Sequence, residues 1–190
     1  MAVKDNTQNV LVENMSASGL GLTIGSIGGS TVRNVTFRNV VMPNTFKGIY
    51  LKFRAGGGLV EDVLYENITM TDVEQYPIWI GPAQQSDSSD PCAAHPCSLC
   101  WPLLAPYAKC NAPYNGQYRN ITLRDVRVTG SKNSPGLILA NATAAMQDIV
   151  FDNVVVTGAG DKPFGTGYKC DGVASGTATG GTGAAAIAAG

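Results

Sequence analysis

The stretch R-N-V-T-F-R-N-V at residues 33–40 decides the fold, because it recurs. It aligns without gaps with Q-N-V-L-V-E-N-M (8–15), E-D-V-L-Y-E-N-I (61–68), R-N-I-T-L-R-D-V (119–126) and Q-D-I-V-F-D-N-V (147–154). Each unit reads polar, Asn/Asp, Val/Ile, any residue, apolar, polar, Asn/Asp, apolar. The first Asn/Asp falls at Asn9, Asn34, Asp62, Asn120 and Asp148, giving steps of 25, 28, 58 and 28 residues. Self-similarity at such a period is the signature of stacked repeats. Apolar positions alternate within each unit, as a strand requires. A second short strand is expected after each unit, at G-L-T-I-G (21–25), G-I-Y-L-K (48–52), P-I-W-I-G (77–81) and P-G-L-I-L-A (135–140), with P-F-G-T-G-Y (163–168) as a weaker fifth.

A period of 25–28 residues holding several short strands predicts an all-β, single-stranded parallel β-helix of about five coils over residues 1–173. Leucine-rich repeats share the length, but their L-x-x-L-x-L frame is absent. An antiparallel sandwich gives no reason for an Asn/Asp pair spaced five apart in every unit. At turns these residues tolerate left-handed φ and bond their own backbone. Stacked coil upon coil, they form side-chain ladders. A structural role is therefore expected for them rather than a ligand-binding one. The 58-residue step is one coil plus an insertion at 84–116, rich in Pro, Ser and Cys, expected to project as a loop. The stretch 174–190 is low in complexity and is expected to be a loosely attached tail.

Composition narrows the function classes. A formal net charge of −1 in 190 residues gives no electrostatic footprint for nucleic acid or an anionic membrane. No apolar run reaches the roughly 18 residues of a membrane span. The start, M-A-V-K-D-N, has no signal-peptide core. Five N-x-S/T sequons nevertheless occur, at Asn14, Asn34, Asn67, Asn120 and Asn141, and four of five cysteines cluster at Cys92, Cys97, Cys100 and Cys110. Both features fit an oxidising, secreted setting, with a signal expected further upstream. Asn14, Asn34, Asn67 and Asn120 sit on ladder positions, where some are expected to be too buried to carry sugar; Asn141 is the cleanest acceptor. The cysteine cluster, with His95, has only one close C-x2-C pair, so two loop-stapling disulfides are expected rather than zinc. That leaves Cys170 odd. Neither a metal nor a cofactor is expected.

The glycine-rich S-G-L-G-L-T-I-G-S (18–26) lacks the Lys-Ser/Thr and the following helix of a phosphate loop, so it reads as a coil corner. G-L-G-L-T-I-G-S-I-G (19–28), followed by G-I-Y-L-K (48–52) and closed by Y-K-C-D-G-V (168–173), resembles the polygalacturonase family of glycoside hydrolases. The resemblance covers residues 1–173 and implies a right-handed, pectin lyase-like β-helix acting on α-1,4-galacturonan with inversion. Inverting hydrolysis needs a carboxylic acid on the leaving oxygen and carboxylates to activate water. The family supplies three aspartates, and the resemblance places all of them before Met1. The family histidine falls on Leu20 and the family arginine on Tyr50, while the lysine is retained as Lys52. Leucine moves no proton, and tyrosine cannot fork around a carboxylate as arginine does. Arg54, two residues beyond Lys52, shares its face in an extended strand and is a candidate substitute.

The expectation is therefore a fragment of a secreted polygalacturonase-like hydrolase, bound to galacturonan-type polysaccharide through Lys52 and Arg54 but inactive as this chain. The alternative is a non-catalytic carbohydrate-binding or structural β-helix of a cell wall or matrix. Trp79 and Trp101 are expected to pack the fold rather than stack on sugar. An exposed first coil is expected to favour self-association, readable by sedimentation.

Overall fold

The computed structural model describes residues 1–54, 57–83 and 115–181. The cysteine cluster, His95, Trp101 and the last nine residues, 182–190, lie outside the described residues.

Two six-stranded parallel sheets alternate along the chain. One contains β1 (Ala2–Val3), β3 (Leu22–Ile27), β5 (Ile49–Phe53), β7 (Ile78–Pro82), β9 (Gly136–Leu139) and β11 (Tyr168–Asp171), in that order. The other contains β2 (Thr7–Ser16), β4 (Thr31–Pro43), β6 (Leu59–Val73), β8 (Gln117–Ser131), β10 (Gln147–Ala159) and β12 (Gly176–Thr179). The chain visits the sheets in turn and returns one coil further on, making a parallel β-solenoid of about five turns. The only described helical segment is a 3-10 turn at Ala142–Ala144. β1 and β2 are the edge strands at one end.

The Asn/Asp spacing explains how long strands bend around a core. In β6, Asp62, Asn67 and Asp72 have φ of 56°, 52° and 52°. Between these left-handed corners the chain runs in-out-in, burying Val63 and Tyr65, then Ile68 and Met70. Asn and Asp are the non-glycine residues best suited to that backbone. All ten ladder positions show the same positive φ, from Asn9 at 59° to Asn153 at 55°. The side chains also link coils: the Asn34 amide donates to Asn9 at 2.6 Å, Asn39 to Asn14 at 3.0 Å, Asn67 to Asn39 at 2.9 Å, Asn120 to Asp62 at 2.8 Å and Asn153 to Asp125 at 2.6 Å. The structural reading of the pairs is thus correct. Their expected burial is not: Asn14, Asn34, Asn67 and Asn120 are all exposed. What competes with a glycan at Asn34, Asn67 and Asn120 is an amide already committed to the ladder. Asn141 is half-buried, and its carbonyl accepts from the Thr143 N–H (3.0 Å) and hydroxyl (2.9 Å).

Parallel stacking places equivalent residues of successive coils side by side, so like charges would repel. The sequence alternates them. Glu13, Arg38, Glu66, Arg124 and Asp152 lie in one register row. Arg38 reaches Glu13 at 2.6 Å, and Arg124 reaches Glu66 at 3.2 Å and Asp152 at 3.3 Å. Arg33 and Glu61 form a parallel pair at 3.0 Å. These exposed pairs add little stability each. Their alternation penalises a stack displaced by one coil.

Inside, the rows are apolar. Val12, Phe37, Tyr65, Leu123 and Phe151 form one column, with Phe37 and Tyr65 stacked at 4.8 Å between centroids. The buried Tyr65 hydroxyl donates to Leu22 O (3.3 Å) and that of Tyr118 to Gly81 O (2.8 Å), so neither polar tip is stranded. The glycine run is a coil corner: Gly21 has φ 68°, and a Cβ there would overlap the Gly48 carbonyl of the next coil.

Two boundaries differ from expectation. Gly176–Thr179, assigned to the tail by composition, pairs with Ile149–Asp152 of β10. The weak strand expected at 163–168 begins instead at Tyr168, because Phe164 turns outward to stack on Tyr76 at 5.7 Å.

Candidate functional site

Strand register builds the site. Val3 pairs with Ile24 and Ile24 with Leu51, so the next residues, Lys4, Gly25 and Lys52, form an outward row across β1, β3 and β5. Two lysines flank a position without a side chain. The gap is a pocket of about 240 Å³, lined among others by Lys4, Leu20, Thr23, Gly25, Ser26 and Lys52. Glycine is required there: φ is 110°, and a Cβ would overlap the Lys52 carbonyl and come within 3.0 Å of Lys52 Cγ. The Thr23 hydroxyl donates to Leu20 O at 2.8 Å and keeps its acceptor capacity. Leu20 is 53% exposed, and its side chain forms apolar wall.

Under the pocket lies Tyr50. Its ring is 1% exposed and carries two ammonium groups, Lys47 Nζ at 4.1 Å and Lys52 Nζ at 4.4 Å from the centroid. Trp79 meets it edge-on at 6.2 Å. Such cation–ring contacts strengthen when water is excluded. Tyr50 therefore supports Lys52 from below and presents no hydrogen-bonding fork to the pocket. Among the described residues no carboxylate lines the pocket, and neither Lys47 nor Lys52 forms an ion pair.

The unneutralised charge shows in the acidities. Burial, and then the charge of Lys4, lower the pKa of Lys52. Burial, and then Lys52, push Lys47 down to about 7. With its folded pKa below the unfolded 10.5, Lys47 binds fewer protons when folded across that window. Stability contributed at this position therefore rises with pH from about 7 to 10.5, and the burial penalty is full below 7. The stability of Lys47→Met relative to wild type is expected to fall between pH 7 and pH 10 by on the order of a few kcal/mol. Urea denaturation at both pH values checks it; a difference independent of pH would contradict it.

The structure brings Lys52 to the pocket but not Arg54. Arg54 follows β5, is exposed, and donates its backbone N–H to Ile27 O at 2.8 Å. The extra residue between Ile24 and Ile27 lies in β3, so β5 keeps its own alternation; Arg54 stands one step past the end of β5 and is not among the residues that line the pocket. Trp79 is packed as expected, with its indole N–H donating to Pro82 O at 2.8 Å. Cys170 is half-buried and has no disulfide partner among the described residues; its thiol pKa is raised, chiefly by burial. Lys4 and Lys47 escaped the sequence reading. A signal for Lys4 existed: A-V-K, T-I-G and Y-L-K occupy equivalent places in successive coils.

Fold and pocket together define a parallel β-solenoid with a cationic, carboxylate-free recess on one sheet. The chain belongs to glycosyl hydrolases family 28, whose model matches residues 1–100. It is 34% identical over 177 residues to the probable endopolygalacturonase D of Neosartorya fischeri, covering 90% of this chain and 32% of the relative. It is 27% identical over 167 residues to the exopolygalacturonase rpg15 of Rhizopus delemar, covering 83% of this chain and 39% of the relative. A probable polygalacturonase of Arabidopsis thaliana, At1g80170, is 34% identical over 96 residues, covering 48% and 21%. The chain spans about a third of the length of the first of these relatives. No solved structure matches it.

Proposed function

We propose that this chain is part of a secreted, polygalacturonase-like glycoside hydrolase, and that it holds a galacturonan-type polysaccharide without cleaving it. The observation that carries the reading is the Lys4–Gly25–Lys52 row: two ammonium groups face a recess sized for a sugar, with no acid to neutralise them among the described residues. A uronate carboxylate supplies the missing charge, and the Thr23 hydroxyl accepts from a sugar hydroxyl. Hydrolysis needs a proton donor and a base at the scissile bond. Leucine stands at position 20, and the pocket wall offers neither. Relatives named endo- and exopolygalacturonase both match, so the comparisons leave the position of cleavage open.

Leu20 and Tyr50 also favour a second reading, a non-catalytic carbohydrate-binding β-helix. Both readings predict binding of galacturonate oligomers without turnover by this chain. They separate on the longer polypeptide: Asp-Asp before Met1 supports the hydrolase, and its absence supports the binding protein. The test on this chain is release of reducing ends from polygalacturonate. None is expected, and turnover abolished by a substitution within 1–190 would overturn the reading.

A further inference from the structure

Among the described lysines, Lys4, Lys132, Lys162 and Lys169 are exposed and Lys52 is half-buried; Lys47 alone is buried, at 7% exposure. It belongs to the connection between β4 and β5, and its backbone is fixed there. The Lys47 N–H donates to Gly19 O at 2.9 Å, and the Lys47 carbonyl accepts the hydroxyl of buried Thr45 at 2.6 Å. The side chain sits against two rings of unequal depth. Nζ is 4.1 Å from the centroid of Tyr50, which is 1% exposed, and 5.9 Å from that of Phe46, which is 39% exposed. The second ammonium, Lys52 Nζ, lies 4.4 Å from the same Tyr50 ring. Among the described residues no carboxylate forms an ion pair with Lys47.

A carboxylate would hold the proton on this amine; an apolar enclosure and a neighbouring cation do the reverse. Desolvation and an adjacent cation are the two arrangements that turn a lysine into a nucleophile. Lys47 has both, and its pKa of about 7 leaves about half of it unprotonated at neutral pH. An ordinary lysine keeps only about one amine in 2,500 unprotonated at that pH. Holding a polysaccharide makes no use of a free amine. We propose that Lys47 is a covalent carbonyl-binding site that takes small aldehydes entering past the Phe46 ring. The Nζ lone pair adds to the carbonyl carbon, and a proton passes from nitrogen to oxygen to give a carbinolamine. Loss of water then leaves an imine, with no oxidant or reductant consumed. The ammonium of Lys52 favours an aldehyde that carries a carboxylate. This chemistry requires no polysaccharide and stands apart from the galacturonan reading.

Glyoxylate with cyanoborohydride tests the site on the 190-residue chain. The hydride reduces each imine to a stable secondary amine, and mass spectrometry of the digest measures it at every lysine. At pH 7, Lys47 is expected to be labelled at least about tenfold faster than Lys132 and Lys162. A ratio to those exposed lysines cancels the reagent's own response to pH. That ratio should shrink about tenfold between pH 8 and pH 9, because only the exposed amines are still losing protons. In denaturing urea the advantage should vanish. Labelling of Lys47 no faster than the exposed lysines at pH 7, a ratio that does not change with pH, or an advantage that persists in urea would each overturn the proposal.

Discussion

Tyr65→Ala is expected to destabilise the solenoid by about 3–5 kcal/mol, as truncation of a large buried aromatic does. Tyr65 sits on the middle coil and is fully buried. It stacks on Phe37 with rings 10° from parallel, and its register partners are Phe37 and Leu123. The cavity would open between coils, where the solenoid's cohesion resides, because each repeat touches only its neighbours. Collapse around it is opposed by the ladders that fix coil spacing on both flanks. Tyr65→Phe removes only the bond to Leu22 O and is expected to cost about 1 kcal/mol. Denaturant titration distinguishes the two. Equal, small losses for both variants would mean that the column is not the structural spine.

Lys52→Gln is expected to weaken binding of trigalacturonate about 10- to 100-fold, the range for a charged hydrogen bond worth roughly 1.5–3 kcal/mol. The ammonium is held over Tyr50 and pointed at the gap left by Gly25, so little ordering remains to be done on binding. Glutamine keeps length and polarity but loses the charge. Lys52 has a lowered pKa, from burial first and Lys4 second. Affinity should therefore fall on the alkaline side at a lower pH than an ordinary lysine would give, since only the protonated amine attracts the carboxylate. A bound anion should offset part of that lowering. Raising the salt should weaken wild type more than Lys52→Gln. Unchanged affinity in the variant would remove Lys52 from the site.

The fold was legible because its main constraint is local. A left-handed corner every five residues calls for Asn, Asp or Gly wherever the chain bends, and the sequence repeats that demand in each coil. The pocket was less legible, because it is made by adjacency between coils. Lys4 and Lys52 are 48 positions apart in sequence and meet only through the register of β1, β3 and β5. Lys47 lies in the connection before β5 and packs over the Tyr50 ring beneath Lys52, which no spacing rule encodes. Tyr50 reads in sequence as a lost arginine; in three dimensions it is the support for two lysines. Arg54 keeps the outward alternation of β5 but stands beyond the strand's end, outside the residues that line the pocket. The edge of the tail was missed because Gly, Ser and Thr look featureless until the charged row they extend is known. There Thr179 donates its hydroxyl to Asp152 at 3.1 Å.

The central claim is that this family 28 segment grips an acidic sugar but carries no catalytic acid or base of its own. The most direct measurement combines trigalacturonate binding with reducing-end release in one sample of the 190-residue chain. The account predicts saturable binding, weakened about 10- to 100-fold in Lys52→Gln, with no reducing ends above the protein-free control. Reducing ends that accumulate in proportion to protein, and that disappear when one acidic residue within 1–190 is replaced, would contradict it.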